Sequence, residues 1–399
     1  MPAENATSSP KMIPAAENSV LWMRVNAKER LRRGLAASFF ATGALHLLRR
    51  FEGTRQVVSS PGSSWPKIRR FAGSKFGILC YHRVGTEGAP LFSRLDPQVF
   101  EAQMKYVRKR YRLVSLEQLC REIANGDPVE PSLAITFDDG YRDLYTHAFP
   151  VLRKYEIPAT IYLIGRSMET GESPWYDRIF VALEHATGSS IEVEMDLIHQ
   201  FALTSIAARR QAAWEIVCFL RTISDARRRN WCLAFEAIMK PPQDKLEGRM
   251  LDWNQVRSMQ AAGISFGAHT MTHPSVAQVE AANLGKELKA SRSLLEAGLD
   301  VPVEDFAYPF GKISDCLSAN DDYLAQCGYR SAVTTIEGIN SGGVNLFRLN
   351  RMQIGDDRSL SLFAFNLARM FFESVYENSA SPTTDRRDML ALETDRSAS

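Results

Sequence analysis

Seven short runs of β-branched and aromatic residues, bounded by turn residues, constrain this chain more than any other feature of its sequence. They are Phe76 to Tyr81, Leu133 to Phe137, Ala159 to Ile164, Ile264 to Ala268, Glu304 to Tyr308, Ser331 to Thr335 and Arg348 to Ile354. Helical patterns fall between several of them, at Asp96 to Arg110, Leu116 to Asn125 and Val279 to Ala297. Strands that alternate with helices pair in parallel through crossovers. Over about 280 residues of the 399 this predicts an α/β fold: an irregular (β/α) barrel of about seven strands, with an open doubly wound sheet as the alternative. The rhythm breaks once. From Gly171 to Met250 the strand pattern disappears and the segment reads as a helical insertion over the barrel mouth.

The termini read differently. Residues 1 to 33 and 376 to 399, rich in small and polar residues, are expected to be disordered tails, leaving residues 74 to 375 for the barrel domain. Between tail and barrel, Gly34 to Leu48 is an apolar stretch with arginines on both sides. It falls short of the ~20 residues that a bilayer span requires. The expectation is either an interfacial helix touching a membrane surface through residues 34 to 50, or a helix packed on the protein itself. A net charge of +2 gives no reason to expect nucleic acid as a partner. Six scattered cysteines without a C-x-x-C pair suggest buried, reduced thiols, and with them a cytoplasmic protein, peripheral at the inner membrane if the apolar stretch docks there.

The chemically unusual residues fall just after strands. "GILCYHRV" ends with His82, "LAITFDDG" with Asp138 and Asp139, "GISFGAHTMTHP" with His269 and His273, and "EDFAYPFG" with Tyr308, Pro309 and Phe310. In a β/α barrel the carboxyl ends of all strands meet at one face, so residues scattered along the chain can share one pocket. Two histidines at i and i+4 present both rings to one point if the segment turns helically. One carboxylate added from another strand makes a three-ligand metal site with an open position. Neighbouring strand residues point to opposite sides, so Asp138 and Asp139 serve one site only if the chain bends, which Gly140 permits. One carboxylate would then hold the metal and the other act as general base. Trp175 and Tyr176, at the entrance to the insertion, offer aromatic surfaces on which sugar rings stack.

These motifs resemble those of the polysaccharide deacetylases, the NodB-type carbohydrate esterases. The resemblance rests on "TFDDG" at 136 to 140, "HTMTH" at 269 to 273, "YPFG" at 308 to 311, "GILCYHRV" at 77 to 84, and "LDWNQVRSMQAAGISFGAHT" from Leu251, and it runs from about residue 74 to 356. It implies a metal-dependent N-deacetylase acting on an acetylated glycan, with Asp138 as base and Asp139, His269 and His273 holding a divalent metal, most often Zn2+. A backbone N–H near Tyr141 would complete an oxyanion hole, and Trp175, Tyr308, Pro309 and Arg351 are the further candidates for substrate contact. Two departures stand out. Ala307 occupies a position where many family members carry an arginine that orients the base, and no histidine follows His273 to act as a late general acid. Arg348 or Arg351 is the candidate for the missing charge, and His82 the candidate for the acid.

Rival readings remain. A two-carboxylate glycosidase needs its acids roughly 5 to 9 Å apart, which adjacent aspartates hardly provide. An inactive carbohydrate-binding or scaffold protein is suggested by Ala307 and the missing late histidine. An O-acetyl esterase differs only in the bond cleaved, and the sequence does not distinguish among glycans.

Overall fold

The computed structural model describes residues 75–86, 93–125, 131–316, 319–341, 343–355 and 359–377, with five positions between 33 and 40. The apolar stretch expected at 34 to 48 and both expected tails lie almost entirely outside the described residues. Two compact units divide the chain. The described positions of 33–40 group with Ser359–Phe372, which holds most of the helix Leu360–Glu377, and the described residues of 75–355 make the other unit. No helix among the described residues is long and apolar enough to cross a membrane. All six cysteines are free thiols, five of them buried.

Among its described residues the larger unit has eleven strands. They are β1 (Lys75–Tyr81), β2 (Arg112–Leu113), β3 (Ser132–Phe137), β4 (Ala159–Leu163), β5 (Ser190–Glu194), β6 (Ile198–Ala202), β7 (Ser265–Ala268), β8 (Asp305–Ala307), β9 (Ser331–Val333), β10 (Asn340–Ser341) and β11 (Met352–Gln353). One sheet runs in the order β10-β1-β3-β4-β7-β8-β9, and its central pairings from β1 to β9 are all parallel. Its two edges meet through the segment 349–354. Leu349 bridges Val333 of β9 in parallel, β11 pairs with Leu79 and Cys80 of β1, and the Ile354 N–H reaches the Cys80 carbonyl at 2.9 Å. The sheet therefore wraps into an irregular β/α barrel.

Side chains alternate across each strand, so every second residue points into the barrel. Phe76, Ile78, Ala134, Tyr162, Ala307, Val333 and Leu349 form the apolar interior. On the outer side Tyr81 and Phe137 meet Phe100 of helix α1 (Pro97–Arg110), with ring centroids 5.3 to 5.9 Å apart. Helix α1 begins cleanly because Asp96 accepts the Gln98 and Val99 amides and Pro97 needs no donor. Helix α2 (Leu116–Asn125) follows with its apolar stripe, Leu116, Leu119 and Cys120, inward. Short helices α3 (Phe149–Lys154) and α4 (Gly165–Thr170) complete the first half.

The insertion departs from the expected all-helical segment. Helices α5 (Trp175–Glu184), α6 (Ile206–Thr222) and α7 (Asp225–Met239) pack around their own apolar cluster, and the β5–β6 hairpin joins them. The hairpin was written in the sequence as alternation, Ile191-Glu192-Val193-Glu194, with Val193 and Phe201 turned inward. It lacks the Gly-containing turn that normally announces a hairpin. The last expected strand also differs: Leu346–Arg348 is a 3-10 turn, and only Met352–Gln353 pairs as a strand. After the insertion come α8 (Trp253–Ala261), capped reciprocally by Asp252 and Gln255, then α9 (Ala281–Leu299) and α10 (Ala319–Gln326).

At the amino-terminal end of the strands, Asp305 of β8 accepts a 2.5 Å hydrogen bond from Ser331 of β9. Burial, reinforced by Glu117 and Glu304 against the help of Ser331, pushes its carboxyl up to about 6. A carboxyl whose pKa rises on folding binds more protons folded than unfolded, so it costs stability as pH climbs from about 4 through about 6. Asp305→Asn should remove that cost. Its urea midpoint, compared with that of the parent, should show a gain that grows from pH 5 to pH 7.5 and reaches on the order of 1–2 kcal/mol, given the group's partial exposure. An equal difference at both pH values would show that Asp305 ionises normally.

Candidate active site

The barrel brings the strand-end residues together at one face. Asp138 continues the inward alternation of β3, and its N–H is still held by the Tyr81 carbonyl at 2.9 Å. The chain then reverses its side-chain direction, because Asp139 has φ +74° and Gly140 φ +78°. Left-handed backbone is strained for Asp139 and free for glycine, so the two together turn the second carboxylate back toward the first. At Gly140 a Cβ would also lie 2.6 Å from Leu163.

Asp139 faces both histidines. Its Oδ1 lies 3.6 Å from His269 Nε2 and 3.4 Å from His273 Nε2, and all three side chains are buried. The histidines converge, but not on a helical turn as the i, i+4 spacing suggested. Thr270 (φ +62°) and His273 (φ +58°) are both left-handed, and the Thr270 hydroxyl accepts the His273 N–H at 2.9 Å. Glu287 of α9 holds this bend from behind, accepting the Met271 and Thr272 N–H groups at 2.9 and 2.8 Å and the Thr272 hydroxyl at 2.8 Å. Strained residues of this kind persist where the surroundings over-determine them.

Each ring has a defined environment. His269 donates through Nδ1 to the Ala307 carbonyl at 2.7 Å, which leaves the Nε2 lone pair turned to Asp139. Burial, then the neighbouring His273, pulls the His269 imidazolium down to about 4, so the ring is neutral near pH 7. His273 is enclosed by aromatic rings, with Tyr176 at 4.8 Å and Phe310 at 5.0 Å, and its carbonyl accepts the Trp175 indole N–H at 3.0 Å. Asp139 lies below the usual carboxylate range: burial opposes ionisation, and the facing His273 outweighs it. Two imidazoles and one carboxylate, with nitrogen-to-oxygen separations of 3.4 to 3.6 Å, match the edges of a tetrahedral zinc site whose bonds are about 2.0–2.2 Å long. The residues present fit a divalent metal.

Asp138 belongs to a different pairing. Arg351 grips it with two parallel hydrogen bonds, Nη1 to Oδ1 and Nη2 to Oδ2, both 2.7 Å. The guanidinium is fully buried and its Nε donates to the Thr334 carbonyl at 2.7 Å. Burial alone would raise the Asp138 carboxyl, but the charge and hydrogen bonds of Arg351 hold it far below the usual range. Arg351 thus supplies the positive charge absent at Ala307. Arg348 does not, being engaged with Asp321 at 2.8 Å. His82 stands on the open side, its side chain 43% exposed and its Nε2 3.9 Å from Asp138 Oδ2.

The candidates for substrate contact fare unevenly. Arg351 is fully buried and spent on Asp138, so it has no surface for a glycan. Tyr308 is equally buried, with its hydroxyl directed to Asp321 at 3.3 Å, and Pro309 is buried beside it. Trp175 is packed in the insertion core, where it braces the His273 loop. Tyr141 directs its hydroxyl to Asp177 at 2.8 Å, while its N–H has no acceptor among the described residues. Cys80 and Glu287 are contacts to which pattern reading gave no role. Cys80 stood within a quoted motif, "GILCYHRV", and Glu287 within none.

Residues 125–332 match the family model for polysaccharide deacetylase. The chain belongs to the polysaccharide deacetylase family. A polysaccharide deacetylase-family protein of Bacillus subtilis, YxkH, is 30% identical over 151 residues, 37% of this chain and 51% of the relative. The poly-β-1,6-N-acetyl-D-glucosamine N-deacetylase of Escherichia coli K12 is 31% identical over 98 residues, 24% of this chain and 15% of that protein. The chain thus spans about half, or much less, of the curated relatives it matches. The Streptococcus pyogenes deacetylase PplD, solved with acetate, shares the fold at a TM-score of 0.51 and 22% identity, over 75% of this chain and 99% of that one.

Arg351 and Asp138 form a buried ion pair, and removing one partner of such a pair costs about 3–5 kcal/mol because the other is left charged and unpaired. Arg351→Met should lower unfolding stability by that amount. Adding Asp138→Asn to it should recover part of the loss, measured by urea denaturation at constant pH. A double variant no more stable than Arg351→Met alone would show that the pair is not coupled.

Proposed function

We propose that the protein is a metal-dependent hydrolase that removes N-acetyl groups from a glycan of the N-acetylglucosamine type. The observation that carries this reading is the juxtaposition of two differently held carboxylates: Asp139 facing two imidazoles, and Asp138 locked beside them by Arg351. The family membership supports the deacetylase class, and the N-deacetylase named among the relatives supports an amide rather than an ester.

Asp139, His269 and His273 would hold the divalent metal, and their nitrogen and oxygen donor set suits zinc. When bound, such an ion activates a water and polarises the acetamide carbonyl. The protein's own groups divide the remaining work. Arg351 fixes the Asp138 carboxylate in one orientation and keeps it ionised, so a lone pair is available to take the water's proton. The unpaired Tyr141 N–H donates toward the developing oxyanion. His82, on the open side of Asp138, gives a proton to the departing amine nitrogen. The aromatic wall of Tyr176 and Phe310 shields His273 from solvent.

Two measurements test this. Purified protein should carry about one divalent ion per chain, and His273→Ala should lose most of it. Equal metal content in both would remove the ligand assignment. Acetate release from N-acetylglucosamine oligomers should fall by on the order of a hundredfold or more in both Asp138→Asn and His82→Ala, without loss of metal. On an aryl acetate, whose leaving group needs no proton, Asp138→Asn should keep its full defect and His82→Ala should lose most of it. A comparable defect of His82→Ala on both substrates would exclude its role as acid.

A further inference from the structure

A second set of donor atoms adjoins the first. Cys80 Sγ lies 3.5 Å from Asp138 Oδ2, His82 Nε2 lies 3.9 Å from the same oxygen, and the three atoms all fall within 4.8 Å of one another. Ligands sharing one tetrahedral zinc, with bonds of about 2.3 Å to sulfur and about 2.0–2.1 Å to nitrogen and oxygen, sit roughly 3.6 Å apart for sulfur and oxygen and roughly 3.4 Å for nitrogen and oxygen. The observed separations need only a small movement of the half-exposed His82 ring to reach those values.

We propose that Cys80, His82 and Asp138 form a second cation site, taken by a thiophilic divalent ion such as Cd2+ or excess Zn2+, and that its occupation inhibits the enzyme. The donors come from two adjacent parallel strands. Cys80 and His82 are inward residues of β1 and its extension, and Asp138 extends β3, which pairs with β1 up to Tyr81 and Phe137. Arg351 does not block the site. A carboxylate offers about four lone-pair positions, and Arg351 uses one on each oxygen, so Oδ2 retains one on the side of Cys80 and His82. Entry is through His82, because Cys80 itself is buried.

The chemistry sets the order of filling and the selectivity. Binding replaces the thiol proton of Cys80, which leaves to solvent, with a metal–sulfur bond, and nothing is oxidised. The Arg351 charge and the buried thiol both oppose this, so the site fills after the Asp139 site and with weaker affinity. A thiolate donor favours soft ions and rejects Mg2+ and Mn2+. The inhibition rests on the proposed roles of Asp138 and His82, whose lone pairs the ion would occupy. The binding does not.

Cadmium tests the two separately. Full-length protein stripped with chelator should bind two Cd2+ per chain, the weaker with an ultraviolet thiolate-to-cadmium charge-transfer band. Cys80→Ser should bind one and lack the band. Should that variant fail to fold, His82→Gln, altered at an exposed side chain, should shift the midpoint of the band at least about tenfold to higher Cd2+. Acetate release by the zinc enzyme should fall along the same titration and return when the excess is chelated. A band that survives Cys80→Ser, a midpoint unmoved in His82→Gln, or a single bound ion in the parent would overturn the proposal. His273→Ala should keep the band while losing the tighter ion. A His273→Ala protein that retains both ions would instead count against the Asp139 site and leave the second site standing.

Discussion

The Asp138–Arg351 pair joins the fold of this protein to its chemistry. Arg351 lies on the irregular segment that closes the barrel, its Nε anchored on the Thr334 carbonyl beyond β9 and its guanidinium on Asp138 beyond β3. Backbone hydrogen bonds tie that segment to both edges of the sheet, and a buried, bidentate ion pair spans the interior behind it. Such pairs are weak evidence of net stability, since desolvation offsets most of the attraction. Their value is geometric. The same contact that seats the last stave of the barrel holds one carboxylate in a single orientation, with a free lone pair facing the mouth.

Around that pair the site is held by strain and support together. Asp139, Thr270, His273 and Phe310 all have left-handed backbones, an unusual concentration for non-glycine residues within one site. Specific contacts support the histidine loop and Phe310. Glu287 satisfies the amides of the histidine loop, the Trp175 indole holds the His273 carbonyl, and the Phe310 carbonyl accepts the hydroxyl of Thr335. The insertion therefore participates in the site through Trp175 and Tyr176, which tie its own apolar cluster to the His273 loop.

Much of this was legible in the sequence because its causes are local. Strand runs and their spacing point to the barrel, and Asp138, Asp139, His269 and His273 stand at strand ends where a barrel must bring them together. What could not be read was long-range or idiosyncratic. Arg351 and Arg348 were both candidates for the charge missing at 307, and that Arg351 fills the role depends on how 349–354 closes the barrel, 213 residues from its partner. Glu287 sits on a helix with no motif about it. The β5–β6 hairpin alternates correctly but turns without a glycine, so a helical reading of its neighbours absorbed it. Tyr308 and Trp175 carry motif positions, and their burial makes them braces rather than surfaces.

The small side chain at 307 acquires meaning beside the arginine at 351. Ala307 lines the same barrel interior that Arg351 enters, and one carboxylate waits there for one guanidinium. A chain that gained an arginine at 307 while keeping Arg351 would carry two buried cations against one anion, and a chain that first lost Arg351 would strand Asp138. Either single step passes through a disfavoured intermediate. The location of the charge is therefore locked: moving it from 351 to 307 takes two substitutions made together, and neither alone leaves the interior balanced.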